Sequence, residues 1–165
     1  KGNGPEDLME LVYYLAKRVI SIFEEDVDIN RLKELIDSGA AHDKFISMVE
    51  AHGGSMKAFK NMSYDSPGYS YAVLSESDGY LNSFETRILG ELLSEIGGGT
   101  FRNNDGIDNY SGLRVYKKIS DKVLKDEPVL EFYCSSEKKI NNLMGSKLDL
   151  FSVSEKQSNK PSLIY

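Results

Sequence analysis

Residues 69–99 read YSYAVLSESDGYLNSFETRILGELLSEIGGG, and this stretch decides the fold. Tyr69, Tyr71 and Val73 alternate with smaller residues, the period of a half-buried strand. Asp78-Gly79 marks a turn, and Tyr80-Leu81 resumes extended chain. The period then changes. Phe84, Ile88, Leu89, Leu92 and Leu93 recur at helical spacing, so a helix is expected from about Ser83 to Ile96, stopped by Gly97-Gly98-Gly99. Strand, turn, strand and helix within some thirty residues define a mixed architecture.

Downstream the same grammar continues. Residues 102–110 are a polar loop. Leu113, Val115 and Ile119 suggest a further strand, and Val129–Cys134, preceded by Pro128, is the clearest one. A helix is expected from Ser136 to about Met144, then a strand near Leu148–Val153 and a polar tail, with Leu163-Ile164-Tyr165 apolar enough to dock. The connections are too irregular for a βαβ array.

Upstream, residues 1–62 read as helices alone. Pro5 suits a first helical position, and Glu6 and Asp7 face the positive end of the helix dipole. Leu8, Leu11, Val12, Leu15, Val19 and Phe23 form one apolar stripe, ended by Glu24-Glu25-Asp26. Asp28 is the expected N-cap of a short helix carrying Leu32, Leu35 and Ile36 and closed by Gly39. A third helix carries Phe45, Met48 and Val49 and stops at Gly53-Gly54. A last turn, Ser55–Met62, contributes Met56 and Phe59. Ser66-Pro67-Gly68 then breaks the pattern. The fold class is α+β: a helical segment, 1–62, followed by a mixed α/β domain, 63–165.

The chain has 165 residues, 40% hydrophobic and 28% charged, enough for a packed core. The net charge is −6, shared evenly by the two parts, so nucleic acid is not an expected partner. No apolar run is long enough for a membrane span, and no leader peptide is visible. Cys134 is the only cysteine, which excludes an internal disulfide and fits a reducing, cytoplasmic compartment. The first residue is Lys1 rather than Met, as expected of a processed product or a fragment.

Candidate chemistry is sparse. The glycine triplet follows a helix, whose C-terminal end is the wrong pole for phosphate, so it reads as a helix stop. Asn103, Asp105, Gly106 and Asp108 resemble part of a calcium loop. With Gly106 at position six, however, Phe101 and Gly112 occupy the first and last ligand positions, and both fail. A hydrogen-bonded turn is the better reading, with Asp108 bracing a nearby N–H. His42, His52 and Cys134 lack a zinc spacing. Cys134 reads as a buried inert thiol. Glu24, Glu25, Asp26 and Asp28 read as a solvated helix end, and no carboxylate pair stands out as acid and base.

One ordered set of motifs goes further. Asp78-Gly79-Tyr80-Leu81, Gly97-Gly98-Gly99, Asp105-Gly106-Ile107-Asp108, Gly112-Leu113, Lys117–Val123 and Glu127-Pro128-Val129-Leu130 occur in sequence. With Lys1–Leu8, Phe45–Gly54 and Pro161–Tyr165, they resemble the C-terminal part of the pyrimidine-nucleoside and thymidine phosphorylases. Three departures stand out: Thr100 where the family has arginine, Ser120 where it has glycine, and Lys125-Asp126 where it has a lysine-glycine turn.

The resemblance implies a hammerhead-like C-terminal domain, 63–165. It also implies that helices 1–62 belong to a larger α/β domain of an intact, typically homodimeric enzyme. That enzyme splits a pyrimidine nucleoside with phosphate into base and (deoxy)ribose 1-phosphate. The family's phosphate and base motifs precede Lys1, so no residue here is assigned a catalytic, cofactor-binding or metal role. No cofactor is implied, phosphate being a co-substrate of the intact enzyme. The expected partners are the N-terminal and central regions of the same enzyme, and the chain alone is expected to be inactive. Leu11, Leu15, Val19 and Phe23 are then expected to be exposed where those regions are missing. The alternatives are a stand-alone hammerhead-type binding module, or the equivalent part of a nucleoside-monophosphate phosphorylase.

Overall fold

The computed structural model describes residues 4–23, 27–61, 68–100, 106–145 and 149–164, with the side chains of 59–61 left aside. The chain divides into two compact units, Lys1–Ser63 with Ser162–Tyr165, and Tyr64–Pro161. It is an α+β protein, as its sequence pattern requires. No described helix is long and apolar enough to cross a membrane.

The first unit holds α1 (Glu6–Ile20), α2 (Ile29–Asp37), α3 (Ala40–Ala51) and α4 (Met56–Asn61). Pro5 precedes α1, with Glu6 and Asp7 in its first turn and Lys17 and Arg18 in its last, the arrangement that complements the helix dipole. Asp28 caps α2 by accepting a hydrogen bond from the Asn30 N–H at 2.9 Å. Gly39 ends α2, and the Gly54 N–H bonds to the Val49 carbonyl at the end of α3. Among its described residues the buried apolar ones are few, Val27 and Leu32. Along α1 the half-buried apolar positions are Met9, Leu11, Tyr13, Ala16 and Ile20, and the Lys33 ammonium of α2 lies 5.9 Å from the Tyr13 ring centre. Of the expected stripe, Leu8, Val12, Leu15, Val19 and Phe23 are exposed, Phe23 at 85%, as is Ile22 beside it, whereas Leu11 is half-buried instead of exposed.

The second unit carries the sheets. Its elements are β1 (Tyr69–Leu74), β2 (Gly79–Phe84), α5 (Thr86–Leu93) running into a wide π turn (Ser94–Gly98), β3 (Gly112–Val115), β4 (Lys122–Val123), β5 (Pro128–Cys134), α6 (Glu137–Met144) and β6 (Phe151–Ser154). Two three-stranded sheets form, ordered β1-β5-β3 and β4-β2-β6. All pairings are antiparallel.

Two boundaries differ from the sequence reading. Ser83 and Phe84 belong to β2 rather than to the helix, because they pair with Ser152 and Phe151 of β6. The Phe84 and Phe151 rings meet edge to face at 6.4 Å. Ile119 is not in a strand; with Ser120 it forms a tight turn closed by the Asp121 N–H on the Lys118 carbonyl at 3.0 Å and tied to β2 by the Ser120 N–H on the Leu81 carbonyl at 2.8 Å. The expected Leu148, Pro67 and Met62 contributions lie outside the described residues.

The core has two clusters. Leu89, Ile96, Leu130, Phe132, Cys134, Ile140, Leu143 and Leu150 form the larger one. Leu81, Val123 and Val129 form the smaller one. Gly112 lets the Tyr133 ring of β5 lie directly over β3, where a Cβ would have to displace the end of that ring.

Ser120 and Asp126 are the described non-glycine residues with left-handed backbone, at φ 80° and 64°. These are two of the positions at which the sequence departs from the family it resembles. The turns are kept without glycine. At Asp126 the cost is met by an N–H bond to the Ser75 carbonyl at 2.8 Å.

Two substitutions test this packing in urea unfolding. Phe132→Ala removes a fully buried ring and lowers stability by about 3–5 kcal/mol. Asp126→Gly relieves the left-handed strain at an exposed position and raises stability by up to about 1 kcal/mol.

Candidate functional site

The densest polar junction lies where the glycine turn, the loop after it and the β5–α6 corner converge. Gly97 sits at φ 114°, a conformation other residues avoid. A Cβ there would come within 2.8 Å of the Asp108 Cβ. Its carbonyl accepts the Asp108 N–H at 2.9 Å. The Ile96 carbonyl accepts from the Ser111 hydroxyl at 2.9 Å and from the Lys139 ammonium at 3.3 Å. Beside this turn a cavity of about 420 Å³ is lined by Leu92, Glu95, Ile96, Lys139, Asn142 and Leu143.

Asp108 is the hub. One carboxylate oxygen accepts the Tyr110 N–H at 2.9 Å. The other accepts both the N–H and the hydroxyl of Ser135 at 2.8 Å. Burial alone would push this carboxyl upward. The bonds from Ser135, Tyr110 and Ser111 outweigh it and hold Asp108 below the usual aspartate value. The junction therefore binds its own chain. The turn's carbonyls, not its N–H groups, meet the cationic and hydroxyl donors, which is the opposite of a phosphate cradle.

The other weighed residues stay apart. Asn103 and Asp105 lie outside the described residues, as do Glu24, Glu25 and Asp26, while Asp28 is the α2 cap. His42 is exposed and lies 3.5 Å from Asp43. His52 meets the Met48 carbonyl at 2.8 Å. Cys134 is fully buried, and its thiol donates to the Ser136 carbonyl at 3.3 Å. Among the described residues no group of three or more His, Cys, Asp or Glu side chains could hold a metal ion.

Two glutamates are tied to neighbours. The Lys117 ammonium, 2.7 Å from Glu127, and the Leu124 N–H depress the Glu127 carboxyl. The Tyr116 hydroxyl, 2.7 Å from Glu131, and the Ser70 hydroxyl do the same for Glu131, with Arg114 at 3.8 Å. Sequence reasoning anticipated that Asp108 braces an N–H, but not its partner Ser135, nor the Lys139 ammonium on the Ile96 carbonyl. The signal available for them was the serine pair before α6, a helix-start pattern.

Residues 80–148 match the family model described as "Pyrimidine nucleoside phosphorylase C-terminal domain". The chain is similar to the C-terminal portion of a pyrimidine-nucleoside phosphorylase. That span contains the glycine turn, the Asp108 brace and both left-handed turns of the family-like set. The pyrimidine-nucleoside phosphorylase of Staphylococcus epidermidis (strain RP62A) is 27% identical over 170 aligned positions, covering 100% of this chain and 39% of that protein. That of Bacillus subtilis (strain 168) is 28% identical over 142 positions, covering 83% and 33%. The thymidine phosphorylase of Metamycoplasma hominis is 26% identical over 139 positions, covering 81% and 51%. The chain thus spans about a third to a half of the length of these relatives.

Asp108→Asn keeps the shape but must turn an NH₂ toward one of the N–H donors. It is expected to lower stability by about 1–2 kcal/mol in urea at pH 7. Because the folded carboxyl lies below its unfolded value, its contribution is full above about pH 5 and is lost as pH falls below about 4. The gap in urea midpoint between the two proteins should therefore narrow from pH 6 to pH 3. A constant gap would show that the charge is not what holds the junction.

Proposed function

We propose that this chain is the C-terminal structural part of an enzyme that phosphorolyses pyrimidine nucleosides and that it is inactive by itself. In that reaction a phosphate oxygen bonds to C1′ of the pentose. The C1′–N bond breaks, and its electron pair leaves with the base, which takes up a proton. The products are free base and ribose or deoxyribose 1-phosphate. The observation that carries the reading is the family match over residues 80–148 in a chain about a third to a half as long as its relatives.

The electrostatics support it. An anionic co-substrate and a departing base need preorganised donors and cations gathered at one place. Four described cations are each engaged separately: Arg87 with Glu91, Arg114 with Glu131, Lys117 with Glu127, and Lys139 with the Ile96 carbonyl. The open face of α1 supports it as well, as a surface for the N-terminal and central regions of the enzyme to cover. On this reading phosphate is a co-substrate and no cofactor is bound by this chain. The intact enzyme is a cytoplasmic homodimer.

Phosphorolysis assays test the reading. The chain alone, given uridine or thymidine with phosphate, should release no base above the buffer control. The Staphylococcus epidermidis enzyme carrying this chain in place of its matched segment should release uracil from uridine. Base formed at an enzyme-like rate by the chain alone, or a folded but inactive chimera, would refute it.

A further inference from the structure

The exposed side of α1 carries a second pattern. Leu8, Val12, Leu15, Val19 and Ile22 follow one another in steps of four, three, four and three residues. That is the repeat of a coiled-coil seam, in which each apolar side chain enters a hole on a facing helix. At about 100° per residue the five fall within an arc of about 80°. All five are exposed, and so is Phe23 beside them.

The two flanks of this seam differ. On one side lie the half-buried Met9, Tyr13, Ala16 and Ile20. On the other side, past Leu11, lie Asp7 and Arg18. They stand eleven residues apart, about three turns, and so share one flank. Asp7 belongs to the first turn of α1 and Arg18 to its last. The flank is therefore acidic at one end and basic at the other.

Those charges decide what fits the seam. In an antiparallel pair of identical helices, equivalent flanks meet and run in opposite directions. Asp7 of each copy then lies beside Arg18 of the other, and the two helix dipoles oppose. In a parallel pair this flank would instead meet the uncharged Met9–Ala16 side, and no ion pair would form.

We propose that α1 docks antiparallel on α1 of a second copy of this chain, covering the Leu8–Ile22 seam and forming two symmetric Asp7–Arg18 ion pairs. The interface uses the same patch on both copies, so it closes at two chains and leaves nothing for further growth. The seam is short, which places the pair among weak interfaces that dissociate on dilution. The proposal stands apart from the phosphorolysis reading. Its readout is the mass of the particle, and further polypeptide on the same face would compete with the pairing.

Sedimentation velocity of the full chain from about 5 to about 500 μM, the range of weak interfaces, should show the mass rising from one chain to two and stopping there. Amide NMR shifts on dilution should fall on Leu8–Phe23. Leu15→Asp and Val19→Asp each place a charge in the seam and should weaken pairing at least tenfold. Both positions are exposed, and circular dichroism checks that the helices are kept. Arg18→Glu sets a carboxylate against Asp7 and should weaken pairing about threefold at low salt, with the difference shrinking at high salt. A single chain at every concentration, assemblies beyond two, dilution shifts away from α1, or pairing unchanged in Leu15→Asp, Val19→Asp or Arg18→Glu would overturn the proposal.

Discussion

The second unit depends on β5, which is wholly buried on one face and buries Val129 on the other. Val129, Leu130, Phe132 and Cys134 are all wholly inaccessible. Side chains alternate along a strand, so one segment supplies both cores: Val129 to the cluster with Leu81 and Val123, and Leu130, Phe132 and Cys134 to the larger cluster. The same strand bonds β1 on one side and β3 on the other. The Val129 carbonyl also receives the N–H groups of Tyr116 and Lys117 as the chain leaves β3. A register slip of one residue would turn the Leu130–Phe132–Cys134 set away from its core, so the pattern Val-Leu-Glu-Phe-Tyr-Cys fixes the pairing.

That central strand explains why the polar junction is where it is. β5 ends at Cys134, and α6 must begin almost at once to bring Ile140 and Leu143 back onto the larger cluster. The corner at Ser135 leaves backbone donors to satisfy, and Asp108 accepts from it while also holding the chain just before β3. The glycine turn then follows as a steric requirement. Gly97 must approach Asp108 so closely that no side chain fits. A triplet that resembles a phosphate loop in one dimension is, in three, a helix stop whose first glycine lies against the backbone and Cβ of Asp108.

Much of this was legible in the sequence, for identifiable reasons. Asp28, Gly39 and the Gly53-Gly54 stop were readable because capping is local, decided within one turn of the helix. β1 and β5 were readable because their periodicity is strong. The boundary at Ser83–Phe84 was not, since those residues fit a helix by spacing and enter a strand only because Ser152 and Phe151 pair with them. β4 escaped for the same reason: two residues, Lys122 and Val123, become a strand only beside Gly79 and Tyr80. At the junction, Asp108 gave a local signal and its partners did not. Ser135 lies 27 residues away, and nothing local in the sequence links it to a particular carboxylate.

α1 shows the limit of periodicity from the other direction. At about 100° per residue, Leu8, Leu11, Val12, Leu15 and Val19 fall within an arc of about 100°. That arc is the most apolar side of the helix. Met9, Tyr13, Ala16 and Ile20 lie on a neighbouring arc and are half-buried, while most of the first arc stays exposed. Periodicity identifies a surface that needs cover; it does not say that the same stretch of chain provides it. Among the described residues of this unit the buried apolar ones are Val27 and Leu32. The two apolar arcs therefore differ in kind: one packs within the unit and the other stays exposed.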